Sequence, residues 1–150
     1  TSTTFSTATV GSLWNNVSQI DAAKISRNMY NNDIGVGVES DLVNSYAWDT
    51  AIVFIQEMGN TNYANKTSVN ATIMNTGTNA DKVCNIFDMA SNCFEWNTEY
   101  STSTYSSYAY PCVYRGGSYS ISYHYTAIRR FDSAAGKYTN GGFRPLLYVK

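Results

Sequence analysis

Apolar positions recur at helical spacing in two places. Ser18-x-x-Asp21 is a capping-box pattern, in which each side chain can satisfy a free backbone N–H at a helix start. Ala22, Ile25 and Met29 follow on one face, and Asn31-Asn32-Asp33 marks the stop. Trp48, Ala51, Ile52 and Ile55 form an i, i+3, i+4, i+7 stripe that predicts a second, core-facing helix. Gly59 stands where a left-handed residue is wanted just past its end. A Trp in such a stripe reads as packing, not as a ligand stacker. Residues 60–82 lose the 3.6 period and read as loop with at most a short strand. Then come the apolar stretches Val83–Phe87, Cys93–Trp96, Cys112–Tyr114 and Phe143–Val149, separated by Gly, Asn and Ser clusters. These predict short antiparallel strands. Two helices followed by irregular β structure predict an α+β fold: two helices around a small antiparallel sheet with long loops. Loops of that length are uncommon unless they serve function.

Composition narrows the classes. The 150 residues suggest one domain, expected over 18–150. Residues 1–17 form a Ser/Thr-rich lead-in whose Phe5, Leu13 and Trp14 are candidates to dock on it. Lys plus Arg is 10 against 11 for Asp plus Glu, so there is no basic excess for phosphates and nucleic acid is not expected as a partner. Charged residues are 14% and aromatics 15%, with 13 Tyr, which argues against disorder and for a surface of Ser, Thr, Asn and Tyr. The longest apolar run, Ala51–Ile55, is far short of the ~20 residues of a membrane span. With no signal peptide and no initial Met, the chain reads as a mature or excised C-terminal piece. Cys84, Cys93 and Cys112 match no zinc spacing and read as small buried thiols, one disulfide with one free thiol being the alternative. Sequons at Asn16, Asn65 and Asn70 matter only in a eukaryotic secretory pathway.

Four motifs in order resemble one known family. Asn85-Ile86-Phe87-Asp88-Met89-Ala90-Ser91-Asn92-Cys93-Phe94-Glu95-Trp96 resembles its "N-(V/I)-(Y/F)-D-(L/M)-x-G-N-(V)-x-E-W" core. Leu42 through Trp48-Asp49-x-Ala51 resembles its "L-P-x-x-x-x-W-E-x-A" helix. Arg115-Gly116-Gly117-Ser118-Tyr119 matches "R-G-G-S-(W/F/Y)", and Gly142-Phe143-Arg144 matches "G-F-R". The family is the formylglycine-generating-enzyme-like (sulfatase-modifying factor) domain, a branch of the C-type lectin fold, and the resemblance covers about residues 18–150. Trp96, Phe87 and Phe143 are then core, and Gly116-Gly117 would allow close backbone approach or positive φ. Glu95, Arg115, Arg129 and Arg144 read as a structural salt-bridge network, with an anion site as the sharper alternative. Some relatives bind calcium near Asp88, Asn92 and Glu95. Calcium takes six to eight oxygens, three are in view, and Ser91 replaces the family's Gly, so no metal is assigned.

Enzymatic activity is not expected. The sulfatase-modifying enzymes use a C-terminal cysteine pair, the second directly after "G-F-R". Here Pro145 follows, and no cysteine occurs beyond Cys112. Thiolate is both nucleophile and soft metal ligand in that chemistry, and Pro supplies neither. The sole histidine, His124, cannot build a facial triad and has no evident carboxylate partner; it is expected to be exposed. No catalytic residue and no cofactor is assigned.

The C-terminal third carries a different signal. Between Tyr100 and Gly136 there is no Lys, Met, Trp, Gln or Glu, although the rest of the chain has eighteen of them. This is the set lost when codons end in a pyrimidine and adenines in Asn codons are mutated. Diversity-generating retroelements work this way, and their variable proteins are similar to this chain: a formylglycine-enzyme-like domain with a variable segment near "G-F-R". Gly142 to Lys150 resembles the closing "G-F-R-P-x-L-Y-V-K" of phage and gut-bacterial members. The resemblance implies a displayed ligand-binding set: Tyr119, Ser120, Ile121, Ser122, Tyr123, His124, Tyr125, Ile128, Arg130, Phe131, Asp132 and Tyr138. Tyr offers a large, stiff, amphipathic surface, and Ser and Asn add adaptable hydrogen bonds. Arg129 matches the family's "A-x-(Y/F)-R" position and reads as structural. The expected partner is a protein or glycan on a cell surface, and the expected place is a phage virion or bacterial cell surface. The competing reading is a structural phage or cell-surface domain of the same fold without diversification; a formylglycine-type oxidase is the remotest.

Overall fold

The computed structural model describes residues 13–30, 37–78, 80–105 and 108–149. Helix α1 spans Gln19–Asn28, with Ser18 as its cap: the Ser18 hydroxyl accepts from the Asp21 amide at 3.2 Å and donates to the Asp21 carboxylate at 2.8 Å. Its buried face is Ala22, Ala23 and Ser26, small residues that let strand β1 (Val38–Leu42) lie close enough for Ser40 Oγ to donate to the Ser26 carbonyl at 2.6 Å. The predicted stop at Asn31-Asn32-Asp33 lies outside the described residues, as does Phe5 of the lead-in. Helix α2 spans Ser45–Glu57, where the Asn44 side chain accepts from the Ala47 amide at 2.8 Å. Trp48, Ile52 and Ile55 of the predicted stripe are buried, and Gly59 takes φ +103° just past the end.

After a short 3-10 turn at Tyr63–Asn65 come eight further pieces of strand: β2 (Lys82–Val83), β3 (Ile86–Phe87), β4 (Phe94–Tyr100), β5 (Thr104–Tyr105) and β6 (Tyr108–Ala109), then β7 (Cys112–Arg115), β8 (Arg129–Asp132) and β9 (Gly141–Phe143). Strand β10 (Pro145–Val149) closes the chain. The stretch predicted as one strand over Val83–Phe87 is a hairpin. Cys84 and Asn85 form its two-residue loop at φ +51° and +60°, the left-handed geometry a tight hairpin needs. That turn puts Cys84 in solvent, which corrects the reading of three buried thiols; Cys93 and Cys112 are buried and all three are free.

The main sheet has the order β8-β7-β4-β9. Its pairings are antiparallel except β9, which runs parallel to β4, so the sheet is mixed. Strands β1 and β10 pair antiparallel from Val38↔Val149 to Leu42↔Pro145 and bring the two ends of the domain together. Residues just before α1 join in: the Trp14 ring meets Phe143 edge-on at 5.6 Å, and Trp96 Nε1 donates to the Val17 carbonyl at 2.9 Å.

Alternation along the strands sorts the core. Phe94 and Trp96 of β4 and Cys112 and Tyr114 of β7 share a face and pack with Ala22, Ala23 and Leu42. A second cluster, on α2, joins Val43, Trp48, Ile52, Ile55, Tyr63 and Met89. The other face of the sheet carries charge. Arg144 Nε and Nη2 donate to the two oxygens of Glu95 at 2.9 and 2.8 Å, and Nη2 also reaches the Phe87 carbonyl at 2.7 Å. Burial pushes the Glu95 carboxyl up, while the fork from Arg144 opposes that shift.

Candidate functional site

The path from β7 to β8, residues 116–128, is built to hold its backbone still. Gly116 has φ +82°, and a Cβ there would sit 2.5 Å from the Met89 carbonyl and 2.9 Å from the Trp48 ring. At Gly117 a Cβ would stand 1.9 Å from the Ala90 carbonyl. Both glycines allow the close approach that the sequence implied. Beyond them the amide of Tyr119 donates to Asn92 O at 2.8 Å, that of Thr126 to Lys66 O at 2.9 Å and that of Ala127 to Ala64 O at 3.0 Å. Trp48 Nε1 reaches back to the Thr126 carbonyl at 3.0 Å. Turns within the segment link Ile121 to Ser118, His124 to Ile121 and Ile128 to Tyr125.

Against this pinned backbone the side chains divide. Ser118, His124, Thr126 and Ile128 point in and are buried. Ser120, Ser122, Tyr123 and Tyr125 point out, as do Arg130 and Phe131 on the edge strand β8. Tyr119, Ile121, Asp132 and Tyr138 are half-buried. Two expectations therefore need correction. His124, expected in solvent, is 1% exposed, and Ile128 is 7% exposed. Both serve as anchors of the segment; they are not displayed. The His124 ring lies 6.1 Å from Tyr114 and 5.1 Å from Tyr123, and its Nδ1 has no hydrogen-bond partner among the described residues. Burial, with the Arg130 charge second, holds its pKa below the usual histidine value, so the imidazole is neutral.

The strand register further splits the displayed set. Tyr114 opposes Arg130 and Val113 opposes Phe131, so Arg130 and Phe131 lie on opposite faces of the sheet. The Arg130 guanidinium lies over the Tyr123 ring at 5.7 Å, joining strand and turn into one patch. Asn140 extends that patch by donating to Ser120 Oγ at 2.8 Å; it lies in a turn whose role nothing local in the sequence announces. Tyr138 donates to Asp132 at 2.8 Å, and its phenol is pushed up to about 12 by burial and then by that bond. These two residues brace the edge strand.

The family-motif residues do different work. Asn92, at φ +66°, accepts from the Met74 amide at 3.0 Å and returns a bond to the Met74 carbonyl at 3.0 Å. Asp88 accepts from the Gly77 amide at 3.2 Å and from Asn92 Nδ2 at 3.3 Å. Asp88 and Asn92 thus tie the 70–77 loop to the sheet, while Glu95 is taken up by Arg144. Arg115 pairs with Asp49, and Arg129 with Glu99.

The chemistry offered by the outward set is hydrogen bonding, ring contact and one guanidinium.

No family model matches the chain, and no curated protein matches it in sequence. Two solved structures share its fold. The crystal structure of CarF superposes with a TM-score of 0.70 at 14% identity, covering 91% of this chain and 67% of that one. The Treponema denticola variable protein 1 superposes with a TM-score of 0.63, also at 14% identity, covering 99% of this chain and 74% of that one.

Proposed function

We propose that this chain is a ligand-binding display domain, the variable protein of a diversity-generating retroelement, on the formylglycine-generating-enzyme-like branch of the C-type lectin fold. The observation that carries the reading is the division of labour in residues 116–132. Backbone amides and buried side chains hold the segment, while Ser120, Ser122, Tyr123, Tyr125 and Arg130 stand clear. Such a segment can change its outward residues without losing its shape. The fold shared with a variable protein of Treponema denticola and the codon-like bias of Tyr100–Gly136 support the same reading. Its partner would be a protein or glycan on a cell surface, and its place a phage virion or the bacterial surface. The domain would act without catalysis: Pro145 stands where the oxidase chemistry wants a thiolate.

Deep sequencing of the gene across a population tests this without knowledge of the ligand. Substitutions should concentrate at adenine-templated positions in the codons for Ser120, Ser122, Tyr123, Tyr125, Arg130 and Phe131. Gly117, Ser118, Thr126 and Ile128 should stay constant. Copies that are invariant, or that vary equally at anchors and outward residues, would leave an undiversified structural domain instead.

A further inference from the structure

A recess lies on the sheet face away from Tyr123 and Arg130. We infer that it binds a neutral saccharide. The cavity, about 420 Å³, sits between the first turn of α2 and strands β4, β7 and β8, within the size range of small-molecule sites. Arg115 forms its inner wall. Its side chain is only 5% exposed: Nη1 donates to Ser45 Oγ at 3.4 Å, Nη2 meets Asp49 and, at 3.5 Å, the Ala127 carbonyl, and the buried Nε has no partner among the described residues. Directly across the ladder stands Arg129. Two cations in that register repel. Glu99 answers one and Asp49 the other, so the recess is charge-balanced. The bond from Arg129, first, and that from Ser45 hold the Glu99 carboxyl below its usual range.

This balance decides the ligand class. A free anion meets Asp49 and Glu99, and a free cation meets the two guanidiniums. A hydroxyl both donates and accepts. A ring of neighbouring hydroxyls can therefore accept from the arginines and donate to the carboxylates without adding charge. The rim supplies an apolar partner for the ring's C–H face. Tyr46 lines the recess from the first turn of α2 and is 87% exposed. Ser45, Tyr46, Asp49 and Glu99 lie outside the biased Tyr100–Gly136 segment, and Arg115 and Arg129 lie within it.

The test is a titration of 15N-labelled protein with methyl α-mannoside, methyl β-galactoside, N-acetylglucosamine and cellobiose. Sodium acetate and glycine are run beside them. At least one sugar should shift the Ser45 and Tyr46 amides and the Arg115 and Arg129 Nε–H signals saturably, and should receive saturation transfer at its ring protons. Tyr46→Ala should weaken that sugar about tenfold with Tm unchanged. Glu99→Gln should weaken it comparably, and its own Tm is measured to separate binding from folding. The inference is overturned if no sugar moves these signals, if acetate or glycine moves them and sugars do not, or if Tyr46→Ala leaves the affinity intact. The titration reads sugar binding at the recess whether or not the gene varies, and the sequencing reads variation whether or not a sugar binds, so the two readings can fail separately.

Discussion

Residues 88–97 and residues 118–131 lie side by side in this molecule and are built on opposite plans. In the first, every side chain from Asp88 to Asn97 is buried. Trp96 packs edge-on against Phe94 and Tyr114, Glu95 holds Arg144, and Asn92 binds a loop on both sides of its amide. In the second, buried and exposed residues are interleaved, and the segment is held largely through backbone amides. One segment spends its side chains on the fold. The other keeps them free because its main chain is held by neighbours it did not have to select. A surface that varies needs the second plan beside the first.

Substitutions should expose the contrast. Trp96→Ala should be the most damaging, losing ~3–5 kcal/mol in urea unfolding, since it removes a fully buried ring from the centre of the first segment. A loss below about 1 kcal/mol would mean that this segment is no more committed than the other.

Next is a dependence on pH in the second segment. His124 has a folded pKa depressed by burial, so the unfolded chain takes up the proton more readily. Its contribution is present above the unfolded value of about 6.5 and is lost as pH falls through the lower folded value. His124→Leu should flatten the fall in Tm on that acid limb. An unchanged limb would show that the imidazole is solvated in the native state.

The smallest effects belong to the outward residues. Tyr123→Ala gives up one ring beneath Arg130 and should cost at most about 1 kcal/mol in the same unfolding measurement. Phe131→Ala should fall within about the same limit. A larger cost at either would place that side chain among the anchors.

The sequence showed the first plan far better than the second. Ser18 with Asp21, the Trp48-Ile52-Ile55 stripe and the apolar cores of β4 and β7 carry local signatures of their elements, and Gly116-Gly117 announce a close approach. Strand β8 carries none. Arg129-Arg130-Phe131-Asp132 has no alternation because it is an edge strand whose pairing with β7 supplies the order. His124 sits in Ser122-Tyr123-His124-Tyr125, which reads as surface. Its burial comes from a turn closed by Ile121 and from Tyr114 on another strand, contacts with no trace in neighbouring residues. The pairing of β1 with β10 and the recess beside Arg115 are likewise products of distant strands meeting.

The most direct test replaces the outward residues together. A chain carrying Ser120→Asn, Ser122→Asn, Tyr123→Ser, Tyr125→Ser, Arg130→Ser and Phe131→Tyr is compared with the original by hydrogen exchange. The amides of Tyr119, His124, Thr126, Ala127 and Ile128 should keep their protection, and unfolding should stay cooperative with a total loss of no more than about 2 kcal/mol. If those amides exchange freely in the substituted chain, the side chains were holding the backbone, and the separation of frame from surface is wrong.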